Sequence, residues 1–343
     1  MAFRYNSILH HPPKEATMLR AIVTGTAGQD GSYLAEFLLE KGYDVFGVSI
    51  RKSVNSGTEN IVHLMDHKNF HYTEGDLSDP IFISRLIHDV QPHEFYNLGA
   101  ASHVGYSFAN PVKVFQVNAE AVIMHLSLLK DYSPATRYYQ ASTSEMLGGI
   151  DCPEEGYNEN SPMNPRSPYA ISKCAAHMSV NNYREAYGLF AVSGILFNHS
   201  SLRRGVSFAA RKITHGVASV KLGLQDTLKM GNLSAFRDEG CSKDYVKAMW
   251  LMLQQETPEN YVIATGSGAT MDEMLRYVCY LADLEFEDVY ELDERFLRPS
   301  DVPYLLGDAS KARKKLGWEP EYSWNRLLRE MYENDLDMLS GTD

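Results

Sequence analysis

Two short stretches, Ser142-Thr143-Ser144-Glu145 and Tyr169-Ala170-Ile171-Ser172-Lys173, bring together a hydroxyl, a carboxylate, a phenol and an amine. Tyr169 and Lys173 are four residues apart, so a helix would carry both on one face. Thr143 and Glu145 are two apart, so at a strand end they would point the same way. An ammonium near a phenol lowers the phenol's pKa from its usual value of about 10. With a positively charged nicotinamide beside it as well, Tyr169 becomes a usable base near neutral pH. Glu145 adds a second acid–base group that simple alcohol oxidation does not need. The set points to oxidation coupled to elimination of water.

Such groups must be held by a sheet and its helices. Short apolar, β-branched runs alternate with helical patterns, which predicts a parallel sheet covered by helices, an α/β doubly wound fold. The expected strands are Ala21-Ile22-Val23, Val45-Phe46-Gly47-Val48, Phe95-Tyr96-Asn97-Leu98 and Arg137-Tyr138-Tyr139-Gln140, with a helix over Tyr33 to Glu40. Gly149 to Ser167, rich in Pro, Gly, Asn and Glu, reads as a loop. After Phe197 the chain becomes arginine-rich and less regular, then helical from Met271 to Leu339. The reading is a cofactor domain over 18–196, with 239–267 returning to it. A smaller α/β substrate domain is expected from 197–238 and 268–343.

Thr24-Gly25-Thr26-Ala27-Gly28-Gln29-Asp30-Gly31 lies between the first expected strand and the first helix. Its glycines at 25, 28 and 31 suit a tight turn that brings backbone N–H groups onto a pyrophosphate. An NAD site usually carries an acidic residue about 20 residues further on. Here that place holds Arg51 and Lys52, and two cations favour the 2′-phosphate of NADP. Gly75-Asp76-Leu77 could approach the adenine, and Leu98-Gly99-Ala100-Ala101-Ser102 could line the cofactor at another strand end.

The chain of 343 residues is long enough for two domains, and its 44% apolar and 22% charged residues are those of a globular protein. A net charge of −12 argues against a nucleic-acid or anionic-membrane partner. No apolar run in the sequence approaches the roughly 20 residues of a membrane span. Cys152, Cys174, Cys241 and Cys279 are scattered without a C-x-x-C pair, which suits idle thiols in a reducing, cytoplasmic setting. Residues 1–17 lack the apolar core of a signal peptide and read as an extension ahead of Met18.

Further strings extend these motifs: Gly28-Gln29-Asp30-Gly31-Ser32-Tyr33-Leu34, Ser102-His103-Val104, Leu196-Phe197-Asn198-His199, Arg203-Arg204-Gly205, Gly231-Asn232-Leu233 and Lys243-Asp244-Tyr245-Val246. Together with the glycine loop and Tyr-x-x-x-Lys, the chain resembles the extended short-chain dehydrogenase/reductase family and, within it, the GDP-mannose 4,6-dehydratases. The resemblance implies a Rossmann-type domain, NADP as cofactor, a GDP-sugar as substrate and a homotetramer or homodimer. It implies Tyr169 as base at the sugar's carbon 4 hydroxyl, Lys173 on the nicotinamide ribose, Thr143 on the carbon 4 oxygen and Glu145 as base at carbon 5. It adds His199 and Arg204 at the cofactor. At the nucleotide end it places Asn198, Lys212, Arg237 and Arg298 about the diphosphate and ribose, and Asp301 near the guanine.

Departures from the family's usual runs fall on the substrate side. Asn198-His199-Ser200-Ser201-Leu202-Arg203-Arg204 lacks an acid and a proline, and Arg237-Asp238-Glu239-Gly240-Cys241 lacks Trp and His. These leave GDP-manno-heptose open as an alternative substrate. A nucleotide-sugar epimerase or reductase, or a non-catalytic NADP-binding sensor, are the other readings. No metal site is expected.

Overall fold

The computed structural model describes residues 18–50, 57–148, 151–297 and 299–341. The first half runs β1 (Arg20–Thr24), α1 (Gln29–Glu40), β2 (Asp44–Ser49), β3 (Phe70–Glu74), α2 (Pro80–Val90) and β4 (Glu94–Asn97). It continues through α3 (Val104–Ala109), α4 (Pro111–Phe115), α5 (Ala121–Tyr132), β5 (Arg137–Thr143), α6 (Pro168–Tyr187) and β6 (Ala191–Leu196). Next come β7 (Asn198–Ser200), α7 (Ala209–Lys221), β8 (Leu228–Met230), β9 (Phe236–Cys241), α8 (Ser242–Leu253) and β10 (Tyr261–Ile263). The chain ends with β11 (Gly268–Thr270), α9 (Met271–Ala282), α10 (Phe286–Val289), β12 (Tyr290–Leu292), β13 (Tyr304–Leu305), α11 (Ser310–Leu316) and α12 (Trp324–Ser340).

Seven strands form one parallel sheet in the order β10-β6-β5-β4-β1-β2-β3. This is the doubly wound arrangement expected from the alternating runs. The order reverses between β1 and β4, and in such sheets ligands lie in the crevice at that point, beyond the carboxyl ends of the strands. The glycine loop follows β1, the Leu98–Ser102 segment follows β4, and Thr143 ends β5, so all three open on the same edge. The central strands are buried on both faces. Tyr96, Tyr139 and Val192 pack toward one helical layer, and Ile22, Phe95, Tyr138 and Ala191 toward the other.

A second sheet joins β11, β9 and β13, with β7 also paired to β9, and β8 pairs with β12. Glu239–Cys241 thus lie in the small sheet, whereas β10 pairs with β6 in the large one. A separate core of Ile213, Val217, Met274, Leu275, Val278, Leu328 and Met331 lies among α7, α9 and α12. Gly149 and Ile150 fall outside the described residues, and 151–167 carries no regular element beyond a single bridge from Tyr157 to Gly307. Among the described residues one helical run, Pro111–Tyr132, is long and apolar enough to cross a membrane by length and composition alone. Its buried positions include Asn118 and His125, bonded to Ser172 and the Leu77 carbonyl, as in a core helix packed on a sheet.

Within the second core, Arg211 and Asp335 form an ion pair of 2.5 Å with side chains 4% and 0% exposed, and Thr214 donates to the same carboxylate at 2.6 Å. Burial pushes the Asp335 carboxyl up even with Thr214 and Arg211 against it. Pairing therefore offsets desolvation rather than exceeding it, and the large cost comes from leaving one partner alone. Asp335→Ala is expected to destabilise the fold by about 3–5 kcal/mol in urea unfolding, because Arg211 is then buried unpaired. A loss below about 1 kcal/mol would mean that water reaches Arg211 freely.

Candidate active site

Helix α6 begins where the sequence tells it to. The Ser167 hydroxyl accepts from the Ala170 N–H at 3.1 Å, Pro168 takes the first helical position, and Gly188 closes the helix at φ +69°. Tyr169 and Lys173 then share a buried face, with the Lys173 Nζ 5.9 Å from the centre of the Tyr169 ring. Thr143, the last residue of β5, has its side chain beside the Tyr169 phenol, where it works to lower the phenol's pKa. Glu145 does not continue the strand. It sits in a 3-10 turn, Ser144–Met146, with its N–H donating to the Thr143 Oγ1 at 3.3 Å. Thr143 and Glu145 are thus brought together by a turn rather than by strand alternation, and Glu145 acts electrostatically on Tyr169.

The acid–base balance differs from the sequence expectation. Burial pushes the Tyr169 phenol up to about 12, outweighing the Thr143 side chain and the nearby Arg204 charge. Lys173 is not a close counter-charge: its Nζ donates to the Ala141 carbonyl at 2.8 Å, and burial alone lowers it to about 8. The reason is geometric. The four-residue spacing shares a face, but the ammonium reaches across to the strand rather than back to the phenol.

The glycine loop is shaped for close backbone approach. Gly25 has φ +70°, and a Cβ there would lie 2.9 Å from Gly99 backbone atoms, so the loops after β1 and β4 meet through glycine. A Cβ on Gly31 would lie 2.3 Å from the Gly25 carbonyl oxygen. Helix α1 starts without a side-chain cap at Gly28, which leaves its first N–H groups to an outside acceptor. Leu77 packs under Gly99, and Asp76 is turned onto Ser78, whose N–H and hydroxyl donate to it at 2.9 and 2.6 Å. Leu98 is tied by its N–H to the Thr24 hydroxyl at 3.1 Å, Ala100 is half-buried and Ser102 is exposed. Arg51 lies outside the described residues.

Gln29 and Asp30, expected as cofactor ligands, use their side chains differently. The Asp30 carboxylate accepts from Ser242 at 2.6 Å, from His199 at 2.9 Å and from Gln29 at 3.0 Å. Gln29 also accepts from Ser201 at 2.9 Å and donates to the His199 carbonyl at 3.3 Å. These side chains fasten the cofactor loop to β7, to Ser201 just after it and to α8. His199 faces two acceptors, with Nδ1 2.7 Å from the Phe197 carbonyl and Nε2 2.9 Å from Asp30. Both nitrogens must therefore carry protons, making a buried imidazolium stacked on Tyr245 at 4.4 Å.

The titration of this pair follows from its surroundings. Burial pulls the Asp30 carboxyl up, but His199, Ser242 and Arg204 together hold it well below the usual range. Burial pulls His199 down, yet Asp30 raises it overall. Asp30, depressed, contributes stability above its unfolded value of 3.8 that is lost as pH falls through its folded one. His199, raised, contributes below 6.5, and that share is lost as pH rises through its folded pKa. Asp30→Asn is expected to flatten both flanks of the stability–pH curve in thermal unfolding. An unchanged alkaline flank would contradict the imidazolium.

Arg203 is committed to α1, donating to Ser32 at 3.0 Å and pairing with Glu36 at 2.6 Å. Arg204 instead stacks on Phe208 at 3.9 Å, and its charge is felt by Tyr169, His199 and Glu239. Glu239 is buried on β9 opposite β7, and burial pushes its carboxyl up even with Ser200, Arg204 and His199 working against it.

In the small sheet, Asn198 begins β7 and pairs in register with Glu239, and Arg237 lies two residues earlier on β9. Arg237 is buried and 3.5 Å from Asp301. Asp301 lines a cavity of about 460 Å³ with Gly231, Asn232, Leu233, Tyr290, Leu292 and Leu297. Lys212 on α7 sits over the Phe296 ring at 3.2 Å. Arg298 lies outside the described residues. Asn198, Arg237, Lys212 and Asp301 thus belong to the small sheet, to α7 and to the loop after β12, and Asn198 lies two residues beyond Leu196, the sheet partner of Thr143. Among the described residues, no group of three His, Cys, Asp or Glu side chains could hold a metal.

A glycine loop at the switch point of a doubly wound sheet, facing a Tyr-x-x-x-Lys helix beside β5, defines an extended short-chain dehydrogenase/reductase. A family model described as GDP-mannose 4,6 dehydratase matches residues 22–331, and the chain belongs to that family. It is 47% identical over 330 residues to GDP-mannose 4,6 dehydratase 1 of Arabidopsis thaliana, covering 93% of this chain and 90% of the relative. With the human GDP-mannose 4,6 dehydratase it shares 41% over 344 residues, covering 93% and 92%. Among solved structures, the dTDP-glucose 4,6-dehydratase of Bacillus anthracis in complex with NAD aligns with a TM-score of 0.81 at 21% identity, covering 92% of this chain and 96% of that one. That likeness speaks for the fold.

Proposed function

We propose that the chain is an NADP-dependent GDP-mannose 4,6-dehydratase, forming GDP-4-keto-6-deoxymannose. The observation that carries the reading is the meeting of Thr143, Glu145, Tyr169 and Lys173 at the end of β5, in a chain of this family. The glycine cradle, the uncapped start of α1 and Lys173 fit a dinucleotide, held by the backbone of Gly25, Gly28 and Gly31, by Arg204 and by the segment after β4. Arg51, placed after β2 by the sequence, is the residue proposed for the 2′-phosphate. The oxidised dinucleotide, when bound, supplies a hydride acceptor for carbon 4, a hydride donor for carbon 6 and a positive charge beside Tyr169.

The chain's own residues then divide the proton work. Thr143 hydrogen-bonds the carbon 4 oxygen and Tyr169 removes its proton. A phenol at about 12 costs roughly 7 kcal/mol to ionise at pH 7. Cofactor charge, Arg204 and release of Lys173 from the Ala141 carbonyl offset that cost. With carbon 4 a ketone, the carbon 5 proton becomes acidic and Glu145 takes it. Glu145 then returns a proton to the departing carbon 6 hydroxyl, which leaves as water, and a second proton, drawn from solvent through Glu145, is delivered to carbon 5 when carbon 6 is reduced. Proton transfers of this kind each contribute about 10²–10⁴-fold. Asn198, Lys212, Arg237 and Arg298 are proposed for the diphosphate and ribose, since planar arginine forks bind phosphates bidentately. Asp301 in the 460 Å³ cavity is proposed for the base.

The reading is tested with GDP-mannose and a substoichiometric amount of NADP. Product lighter by one water, formed in many-fold excess over cofactor, supports it; product of unchanged mass would indicate an epimerase. Arg51→Ala is expected to weaken NADP binding by about tenfold or more, as a lost charge-assisted contact does, with little change for NAD. Equal losses in calorimetry would overturn the 2′-phosphate assignment.

A further inference from the structure

Helix α6 carries a third buried polar residue in line with Tyr169 and Lys173. His177 lies one turn beyond Lys173 on the same face and is fully enclosed. Its Nδ1 is 3.1 Å from the Ser142 Oγ and its Nε2 is 3.2 Å from the Asn260 Nδ2. The Asn260 amide cannot be turned around. Its Oδ1 already accepts from the Ser193 N–H and the Arg184 Nη1, both at 3.0 Å, and its Nδ2 also donates to the Asn181 Oδ1 at 2.8 Å. The Asn260 Nδ2 is therefore a donor to His177, so the Nε2 must be a lone pair. The imidazole is neutral, its proton is on Nδ1, and that proton goes to Ser142. Burial and the Arg184 charge favour the same neutral form.

Three successive turns of α6 thus meet three successive residues of β5: Lys173 reaches the Ala141 carbonyl, His177 the Ser142 hydroxyl, and Tyr169 lies beside the Thr143 side chain. Of the three, the His177 contact is the one anchored on its far side, through Asn260, to β6 and to the start of β10. We propose that His177 is a positioning residue for the reaction: as the Nδ1–H tautomer it fixes α6 against β5, and so sets where the Tyr169 hydroxyl and the Lys173 ammonium stand relative to Thr143. It touches neither substrate nor cofactor. The inference rests on the dehydratase reading for its catalytic consequence, but the tautomer stands on hydrogen-bond geometry alone.

Two measurements on the full chain test it. Nitrogen-15 NMR of histidine-labelled protein without ligands should show His177 neutral and protonated on Nδ1 at neutral pH. A proton on Nε2, or on both nitrogens, would overturn the proposal whatever the enzyme's substrate. In GDP-mannose turnover, His177→Phe keeps the bulk and loses both hydrogen bonds. Its kcat should fall about 10–10²-fold, the cost of a small misplacement of reacting groups, with KM for GDP-mannose held within about twofold. His177→Asn, which retains a donor near the Nδ1 position, should recover most of that loss. Equal kcat in wild type and His177→Phe, or no recovery in His177→Asn when both variants keep the wild-type Tm, would contradict it. Should the wild type not turn over GDP-mannose at all, the dehydratase reading fails while the NMR result still decides the tautomer.

Discussion

Tyr169→Phe is expected to abolish the oxidation at carbon 4, so that no reduced-cofactor absorbance develops on the enzyme with GDP-mannose. The ring is buried with its hydroxyl beside the Thr143 side chain, so the change removes one oxygen and little packing. Loss of a general base is worth about 10²–10⁴-fold, and here it precedes every later step, so the upper end is expected. The Thr143 hydroxyl remains but has no partner to pass a proton to. Thermal stability should stay close to wild type, because Phe also spares the cost of burying a phenol. Turnover within tenfold of wild type would mean that another group, with Arg204 beside it, takes the carbon 4 proton.

Glu145→Gln should separate the two halves of the reaction. Its side chain is half-buried in the turn after β5, and its contact with the protein shown here is through the backbone N–H to Thr143. The amide keeps the shape and loses the base, so oxidation at carbon 4 should persist while elimination is slowed about 10²–10⁴-fold. Reduced cofactor should then accumulate on the enzyme with substrate present, a signal transient in the wild type. Full product formation by this variant would remove Glu145 from the elimination. Failure to reduce the cofactor would place it in the first step instead.

Much of this architecture was legible in the residues because short-range rules govern it. The Tyr169–Lys173 spacing implied a shared helical face, and the Ser167-Pro168 start fixes where that face begins. The runs at Ala21, Val45, Phe95 and Arg137 are sheet strands, with β5 extending to Thr143. Phe70–Glu74 was not singled out because it is a half-exposed edge strand without an apolar run, and Tyr261–Ile263 because it is only three residues long. Side-chain destinations were less legible. Asp30 sits in the cofactor motif, yet its carboxylate binds His199, 169 residues away. The Lys173 ammonium turned to Ala141 rather than to Tyr169, and burial, invisible in a string of letters, raised the phenol instead of lowering it. His177 was missed too, although its spacing from Lys173 repeats the four-residue step; the signal was present, but Ser142 and Asn260 had to be placed before it meant anything.

The most direct test is mass spectrometry of the product formed from GDP-mannose and catalytic NADP in heavy water. The proposed mechanism predicts a product lighter by one water and carrying one solvent deuterium at carbon 5, since the substrate's own carbon 5 proton leaves with the water and its replacement is drawn from solvent, while the hydride returns to carbon 6 within the site. Unchanged GDP-mannose, or a dehydrated product with no deuterium at carbon 5, would contradict it.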